Sequence, residues 1–221
     1  MSAGVASPEC QFNQVYRSLL DHYGPQHWWP GDTAFEVMVG AILTQNTAWR
    51  NVEAAINNLK RADLLAVDGI VNCPDAELAQ LLRPAGYFNI KTTRLKNLCM
   101  LLHNAGFKRL QEMPTRELRQ QLLAVNGVGL ETADAILLYA FQRPVFVIDA
   151  YTRRIFSRFG LVSGNEDYEA LRARFEGALD ASAAIYNEYH ALIVQHAKQA
   201  CRVKPECDRC ILCPDCEYVT K

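Results

Sequence analysis

Residues 122–154, LLAVNGVGLETADAILLYAFQRPVFVIDAYTRR, decide how the rest of this chain is read. Two helix-forming runs flank Gly127, Val128 and Gly129, and about twenty residues later Asp149 closes the apolar run Val145, Phe146, Val147 and Ile148. Glycine permits the positive φ and the close backbone approach of a tight hairpin. A hairpin feeding straight into a helix points N–H groups at whatever docks there, and a phosphate is a natural guest. The stretch suggests a phosphate clamp beside a carboxylate. An ordinary helical packing unit with a surface aspartate would carry the same residues, since a lone G-x-G is a weak signal.

Outward from that stretch the chain reads as helical. Residues 8–23 set Phe12, Val15, Tyr16, Leu19 and Leu20 at helical spacing, and Gly24 with Pro25 ends the run. Asp32 or Thr33 can cap a helix carrying Phe35, Val37, Met38, Val39, Ile42 and Leu43. The polar patch Thr44, Gln45, Asn46, Thr47 ends it, and a new helix begins near Ala48 and Trp49 and continues to Lys60. Shorter helices are expected over 63–67, 75–82, 91–104 and 115–124, parted by Gly and Pro breakers. One helix after Asp149 holds Arg153, Arg154 and Arg158, and others cover 168–179 and 185–200. Only Val145 to Ile148 tempts a strand reading. The expected class is all-α, many helices on short links. The first helix is too short to stand alone, so 1–27 with 141–221 should form one lobe and 28–140 the other.

Composition sets the outer limits. With 221 residues, 50% of them apolar, the chain can bury a real core. No uncharged apolar run reaches the roughly 18 residues of a membrane span. The opening MSAGVASPECQF lacks the basic start and apolar centre of a signal peptide, so an intracellular protein with no membrane partner is expected. The net charge of −1 means that any surface for a polyanion must be local. One local bias exists: Arg83, Lys91, Arg94, Lys96, Lys108, Arg109, Arg116 and Arg119 stand against only Glu112 and Glu117, and lead into the glycine hairpin. A solvated helical face explains such a run, and so does a bound phosphate backbone.

Five of the eight cysteines, Cys201, Cys207, Cys210, Cys213 and Cys216, crowd the C-terminus. In a reducing compartment that density points to metal in place of disulfides. Four thiolates can close on zinc or on an iron–sulfur cluster, and two C-x2-C knuckles, Cys207 with Cys210 and Cys213 with Cys216, allow a zinc ribbon.

Taken together, the hairpin L-x-x-V-x-G-V-G-x-x-T-A, the later V-I-D-A-Y-T-x-R, the segments Ile42-Leu43-Thr44-Gln45-Asn46-Thr47 and Gly86-Tyr87-Phe88-Asn89-Ile90-Lys91, and the cysteine tail resemble the helix-hairpin-helix DNA glycosylases of the endonuclease III type. The resemblance covers nearly the whole chain. It implies a two-lobed all-α fold, a six-helix barrel lobe plus a terminal-helix lobe. It further implies a 4Fe–4S cluster on Cys201, Cys207, Cys210 and Cys216. The first cysteine interval is one residue shorter than the family's usual six, and Cys213 is an extra thiol. Double-stranded DNA carrying a damaged base is the implied partner of a monomeric enzyme. Gly127, Val128 and Gly129 would present backbone amides to a phosphate, Gln45 would enter the gap left by a flipped nucleotide, and Lys91 with the basic run would hold the strand.

Members that also nick the backbone carry a lysine directly before the T-A of the hairpin, where this chain has Glu131. A carboxylate cannot form a Schiff base with the opened sugar. The resemblance therefore implies a monofunctional glycosylase in base excision repair, with Asp149 stabilising the oxocarbenium-like sugar or activating water. Trp28, Trp29 and Pro30, followed by Trp49 just after Gln45-Asn46-Thr47, and the glutamate-bearing hairpin, are similar to the endonuclease-III-like 3-methyladenine DNA glycosylases. An aromatic wall of this kind, with Glu131, suits a cationic N-alkylpurine, which indole faces attract by stacking and cation–π interaction. Two alternatives stay open: a glycosylase for mismatched, deaminated or oxidised bases, and a non-catalytic DNA-binding or redox-sensing module. His22, His27, His103, His190 and His196 form no ligand pattern and are taken as non-catalytic.

Overall fold

The computed structural model describes residues 8–28 and 31–219; Trp29 and Pro30, two expected wall residues, lie outside that range. No strand occurs among the described residues, and the class is all-α. The chain divides into two compact units, Trp29–Arg143, and Met1–Trp28 with Pro144–Lys221.

The unit Trp29–Arg143 is organised on α2 (Ala34–Leu43). Its sequence AFEVMVGAIL is apolar but for Glu36, which pairs with Lys60 at 2.9 Å, and Val37, Met38, Val39, Ile42 and Leu43 are almost wholly buried. A helix hydrophobic on every side has to be covered on every side. Thr33 caps it, accepting the Glu36 amide at 3.1 Å, while Asp32, the other candidate cap, pairs with Lys60 at 2.7 Å. Against it pack α3 (Trp49–Arg61), α6 (Phe88–Ala105) and α9 (Leu130–Ala135), while α4 (Val67–Asn72), α5 (Asp75–Leu82) and α7 (Phe107–Glu112) pack on α6 and α8 (Thr115–Leu123) packs on α9. From α9 the chain passes into a buried π-helical turn, Ile136–Ala140, closed by the Phe141 amide on the Ile136 carbonyl at 3.2 Å.

The other unit joins α1 (Pro8–Tyr23) to α10 (Ala150–Phe159), α11 (Tyr168–Ala178) and α12 (Ala183–Gln199). Its core is aromatic. Phe12 stacks on Phe156 at 5.3 Å and meets Phe175 edge-on at 4.7 Å, while Phe146 stacks on Phe175 at 4.4 Å. The Tyr189 hydroxyl donates to the Phe12 carbonyl at 2.7 Å, which satisfies its polar end inside the core. Truncating Phe12 to alanine would cost about 3–5 kcal/mol.

Val145 to Ile148 is buried, takes no regular secondary structure and joins no sheet. Its amides turn to side chains: Phe146 N–H donates to Glu176 at 2.9 Å, and Ile148 N–H to the Tyr168 hydroxyl at 3.4 Å. The apolar run is packing for the segment that delivers Asp149.

Candidate active site

In the unit Trp29–Arg143, the hairpin between α8 and α9 carries three of the expected DNA-contact residues. Gly127 has φ +99°, and a Cβ there would lie 2.2 Å from Arg94 Cγ, so both conformation and space require glycine. Gly129 differs. Its backbone is extended, φ −91° and ψ 179°, and a Cβ would meet no atom within 4 Å, so what it preserves is open approach to the hairpin. Val128 is a correction to the expected trio. Its side chain is buried, and its amide already donates to the Val125 carbonyl at 3.0 Å, so it anchors the turn and presents nothing outward.

Gln45 is tied to this hairpin. Its Nε2 donates to the Gly127 carbonyl and to Thr132 Oγ1, both at 3.0 Å, and Arg94 Nη1 donates to its Oε1 at 2.5 Å. The side chain expected to enter a DNA gap is thus held against the Gly127 turn. Lys91 is the second correction. It is 1% exposed, and its ammonium donates to Leu43 O at 2.8 Å, Thr47 Oγ1 at 2.6 Å and Ala85 O at 2.8 Å. Burial, with Arg94 adding to it, lowers its pKa to about 8. Three inward acceptors leave that ammonium nothing to offer a strand.

The basic run divides in the same way. Arg119 makes a two-pronged pair with fully buried Asp134, at 2.6 and 3.0 Å, and Lys96 pairs with Asp75. Arg83, Lys108, Arg109 and Arg116 are the exposed members. Glu131 is exposed in the first turn of α9. Trp49 is half-buried: its indole N–H donates to Glu53 at 2.9 Å, and its ring lies over Gly40, whose added Cβ would come within 3.3 Å of Cη2.

In the unit of the two chain ends, Asp149 is the N-cap of α10. Its Oδ1 accepts the Thr152 amide at 2.7 Å and the Thr152 hydroxyl at 2.8 Å, and its Oδ2 faces His190 Nε2 at 3.5 Å. Burial pushes the carboxyl pKa up, but the His190 contact and the two Thr152 donors outweigh it and hold the acid below the ordinary aspartate range. Asp149 is therefore a buried carboxylate kept ionised. His190 in turn stacks on Trp28, centroids 6.0 Å apart and planes 19° apart. The sequence gives no sign of His190, because α12 brings it to Asp149 only in the folded chain.

The five C-terminal cysteines line one pocket together with Arg158, His196, Leu212 and Tyr218. Burial pushes the Cys210 thiol up to about 11; the Leu212 amide opposes this, and Cys201, Cys216 and Cys213 add to it. Cys216 is raised by burial too, with Cys201, Cys207 and Cys213 contributing. Clustered thiols that resist ionising together suit a cationic inorganic centre, whose iron would stabilise the thiolates. Among the described residues, no three His, Cys, Asp or Glu side chains converge as a site for a single metal ion. Helix α10 braces the start of this loop: Arg154 Nε donates to Cys201 O at 3.0 Å, and Arg158 donates to Arg202 O at 2.5 Å and Val203 O at 2.9 Å.

Residues 39–180, which include both the hairpin and Asp149, match the HhH-GPD superfamily of base excision DNA repair proteins. The chain belongs to this superfamily. Among HhH-GPD relatives, a Methanocaldococcus jannaschii protein with the provisional name of DNA repair glycosylase is 51% identical, over 89% of this chain and 91% of its own. The endonuclease III of Sulfolobus acidocaldarius is 28% identical over 93% of this chain and 95% of its own. The H. pylori 3-methyladenine DNA glycosylase, solved with 1,N6-ethenoadenine bound, is 30% identical with a TM-score of 0.73, over 88% of this chain and 98% of that one. A non-covalent endonuclease III–DNA complex gives a TM-score of 0.83 at 19% identity over 96% of each chain, which shows a shared fold. The HhH-GPD match confirms the family expected from the motifs. No helix among the described residues is long and apolar enough to cross a membrane.

Proposed function

We propose that this chain is a monofunctional DNA glycosylase that hydrolyses the N-glycosidic bond of a flipped N-alkylated purine of the 3-methyladenine kind. Two residues, each taken in its own unit, carry the reading. Asp149 is kept ionised by Thr152 and His190, while the hairpin position that holds lysine in nicking relatives is Glu131. A carboxylate at that hairpin position cannot form a Schiff base, which supports hydrolysis of the glycosidic bond alone.

In this reading the Gly127–Gly129 turn holds a backbone phosphate, with Gly129 leaving room for its approach. Exposed Arg83, Lys108, Arg109 and Arg116 supply positive charge to the strand. Gln45 releases its hairpin partners and fills the gap of the extruded nucleotide. Trp28, in the unit that also carries Asp149, offers its indole face to the base. An N-alkylated purine carries formal positive charge, so an indole face attracts it and its glycosidic bond is already weak. As that bond breaks, its electron pair leaves with the base, which departs neutral. Asp149 stabilises the cationic sugar, water oxygen bonds to the anomeric carbon, and the water's proton is lost to leave an abasic site. The similarity to the H. pylori 3-methyladenine DNA glycosylase supports this choice of base.

Cys201, Cys207, Cys210 and Cys216 would hold a 4Fe–4S cluster, with Cys213 lining the same pocket. Such a centre supplies a cross-link for the loop and a redox couple.

The test is a panel of duplexes bearing 3-methyladenine, 7-methylguanine, thymine glycol, or G·T and A·G mismatches, with the released base identified chromatographically. Release of the methylated purines above the others is expected. Preferred release of a neutral base, unaffected by Trp28→Ala, would overturn the choice of substrate, and no release at all favours a binding module.

A further inference from the structure

Asp149, His190 and Trp28 belong to one unit of the chain and stand in a row. His190 Nε2 lies 3.5 Å from Asp149 Oδ2, and the other side of the contact is a ring stack on Trp28 with centroids 6.0 Å apart. Both members of the acid–imidazole pair are nearly sealed, with side chains 13% and 7% exposed. Thr152 takes only Oδ1 of the carboxylate, twice over, so it sets one end of the group and leaves the other to a different partner. The imidazole itself cannot drift, because α12 is buried continuously from Tyr189 through Val194.

We propose that His190 is a positioning residue that acts in two directions: its Nε2 edge fixes Oδ2 of Asp149, and its face backs the Trp28 indole. One imidazole thereby sets the carboxylate that meets the cationic sugar and the aromatic surface that meets the base. The assignment deepens the proposed glycosylase activity and rests on it for the role of each partner. Histidine suits the position because it combines a flat face for stacking with an N–H on its edge. Glutamine can place an amide N–H near the Nε2 position but has no ring. Phenylalanine has the ring but no donor. The two substitutions therefore separate the two roles.

The test uses the full-length, cofactor-loaded chain and two probes. The first is a duplex carrying a pyrrolidine abasic analogue, a cation that calls on Asp149 whichever base the enzyme prefers. His190→Phe should weaken its binding by roughly 10-fold, the scale of one lost polar contact to a buried charge, while His190→Gln should stay near wild type. The second is methylated duplex DNA under single turnover. Here His190→Phe should lower the maximal rate with half-saturation kept, and His190→Gln should raise half-saturation with less effect on rate. Equal losses in both parameters for both variants, in step with a lowered thermal midpoint, would show a purely structural histidine and overturn the proposal. So would wild-type behaviour of both variants on both probes. A wild-type chain that releases no methylated base but binds the pyrrolidine duplex would sink the alkylpurine reading alone, and the first probe would still decide His190.

Discussion

One oxygen of Asp149 accepts two hydrogen bonds from Thr152, the amide at 2.7 Å and the hydroxyl at 2.8 Å, so the proposed catalytic carboxylate is also the cap of its own helix. Aspartate and asparagine cap helices about equally well. Asp149→Asn should therefore fold, its thermal midpoint lowered only by loss of the charged contact to His190, while base release falls by at least roughly 10²-fold. Matched circular dichroism melts and single-turnover assays check the pair of outcomes. A variant that unfolds, or one that keeps its rate, contradicts this account of Asp149.

The same contacts set a pH dependence. The Asp149 carboxyl titrates below its ordinary value, because the His190 and Thr152 contacts outweigh the opposing effect of burial. A depressed native pKa stabilises the fold above the unfolded-state value, and that contribution is lost as pH falls through the native one. Base release should accordingly show no acidic limb from Asp149 until below the ordinary aspartate range. Thr152→Val removes one donor, and the limb should then move to higher pH. A rate–pH profile unchanged by Thr152→Val would contradict the assignment.

The two hairpin glycines should respond differently to alanine. Gly127→Ala meets both a left-handed backbone and Arg94, and should destabilise by about 1–3 kcal/mol. Gly129→Ala has extended backbone and free space, so its thermal midpoint should hardly move. Its methyl group nevertheless stands where a phosphate would approach, and duplex affinity should fall. Denaturant melts alongside fluorescence-anisotropy titrations separate the effects. Undiminished DNA binding by Gly129→Ala would remove the hairpin from the proposed clamp.

How much of this was legible beforehand varied with the range of the interactions. Local rules found α1, the Thr33 cap, α5 and the hairpin, because apolar spacing, capping residues and glycine act within a few residues of themselves. A helix was expected over 63–67, but Asp63 takes a left-handed φ of 55° and α4 starts only at Val67. Gly106 was read as a plain breaker, yet it ends α6 and opens α7 at once. Lys91 looked like a surface cation because nothing in its neighbourhood reveals the carbonyls of Leu43 and Ala85. His190 is invisible to local rules for the same reason: its partners, Asp149 and Trp28, are assembled by packing alone.

The cysteine loop makes a prediction by colour. The purified chain should be brown, absorb at the blue end of the spectrum, and contain about four irons per molecule. Serine at Cys201, Cys207, Cys210 or Cys216 should bleach it, while Cys213→Ser should keep the iron. Because Arg154 and Arg158 tie this loop to α10, bleaching should also lower the thermal midpoint. Stoichiometric zinc in a colourless protein would overturn the cluster.

The most direct test of the central claim is strand cleavage on a duplex with one methylated purine, assayed with and without alkali and with borohydride added. Glu131 in place of lysine predicts intact strands until alkali is applied, full cleavage after it, and no protein–DNA adduct trapped by borohydride. Nicking without alkali, or a trapped adduct, would contradict it.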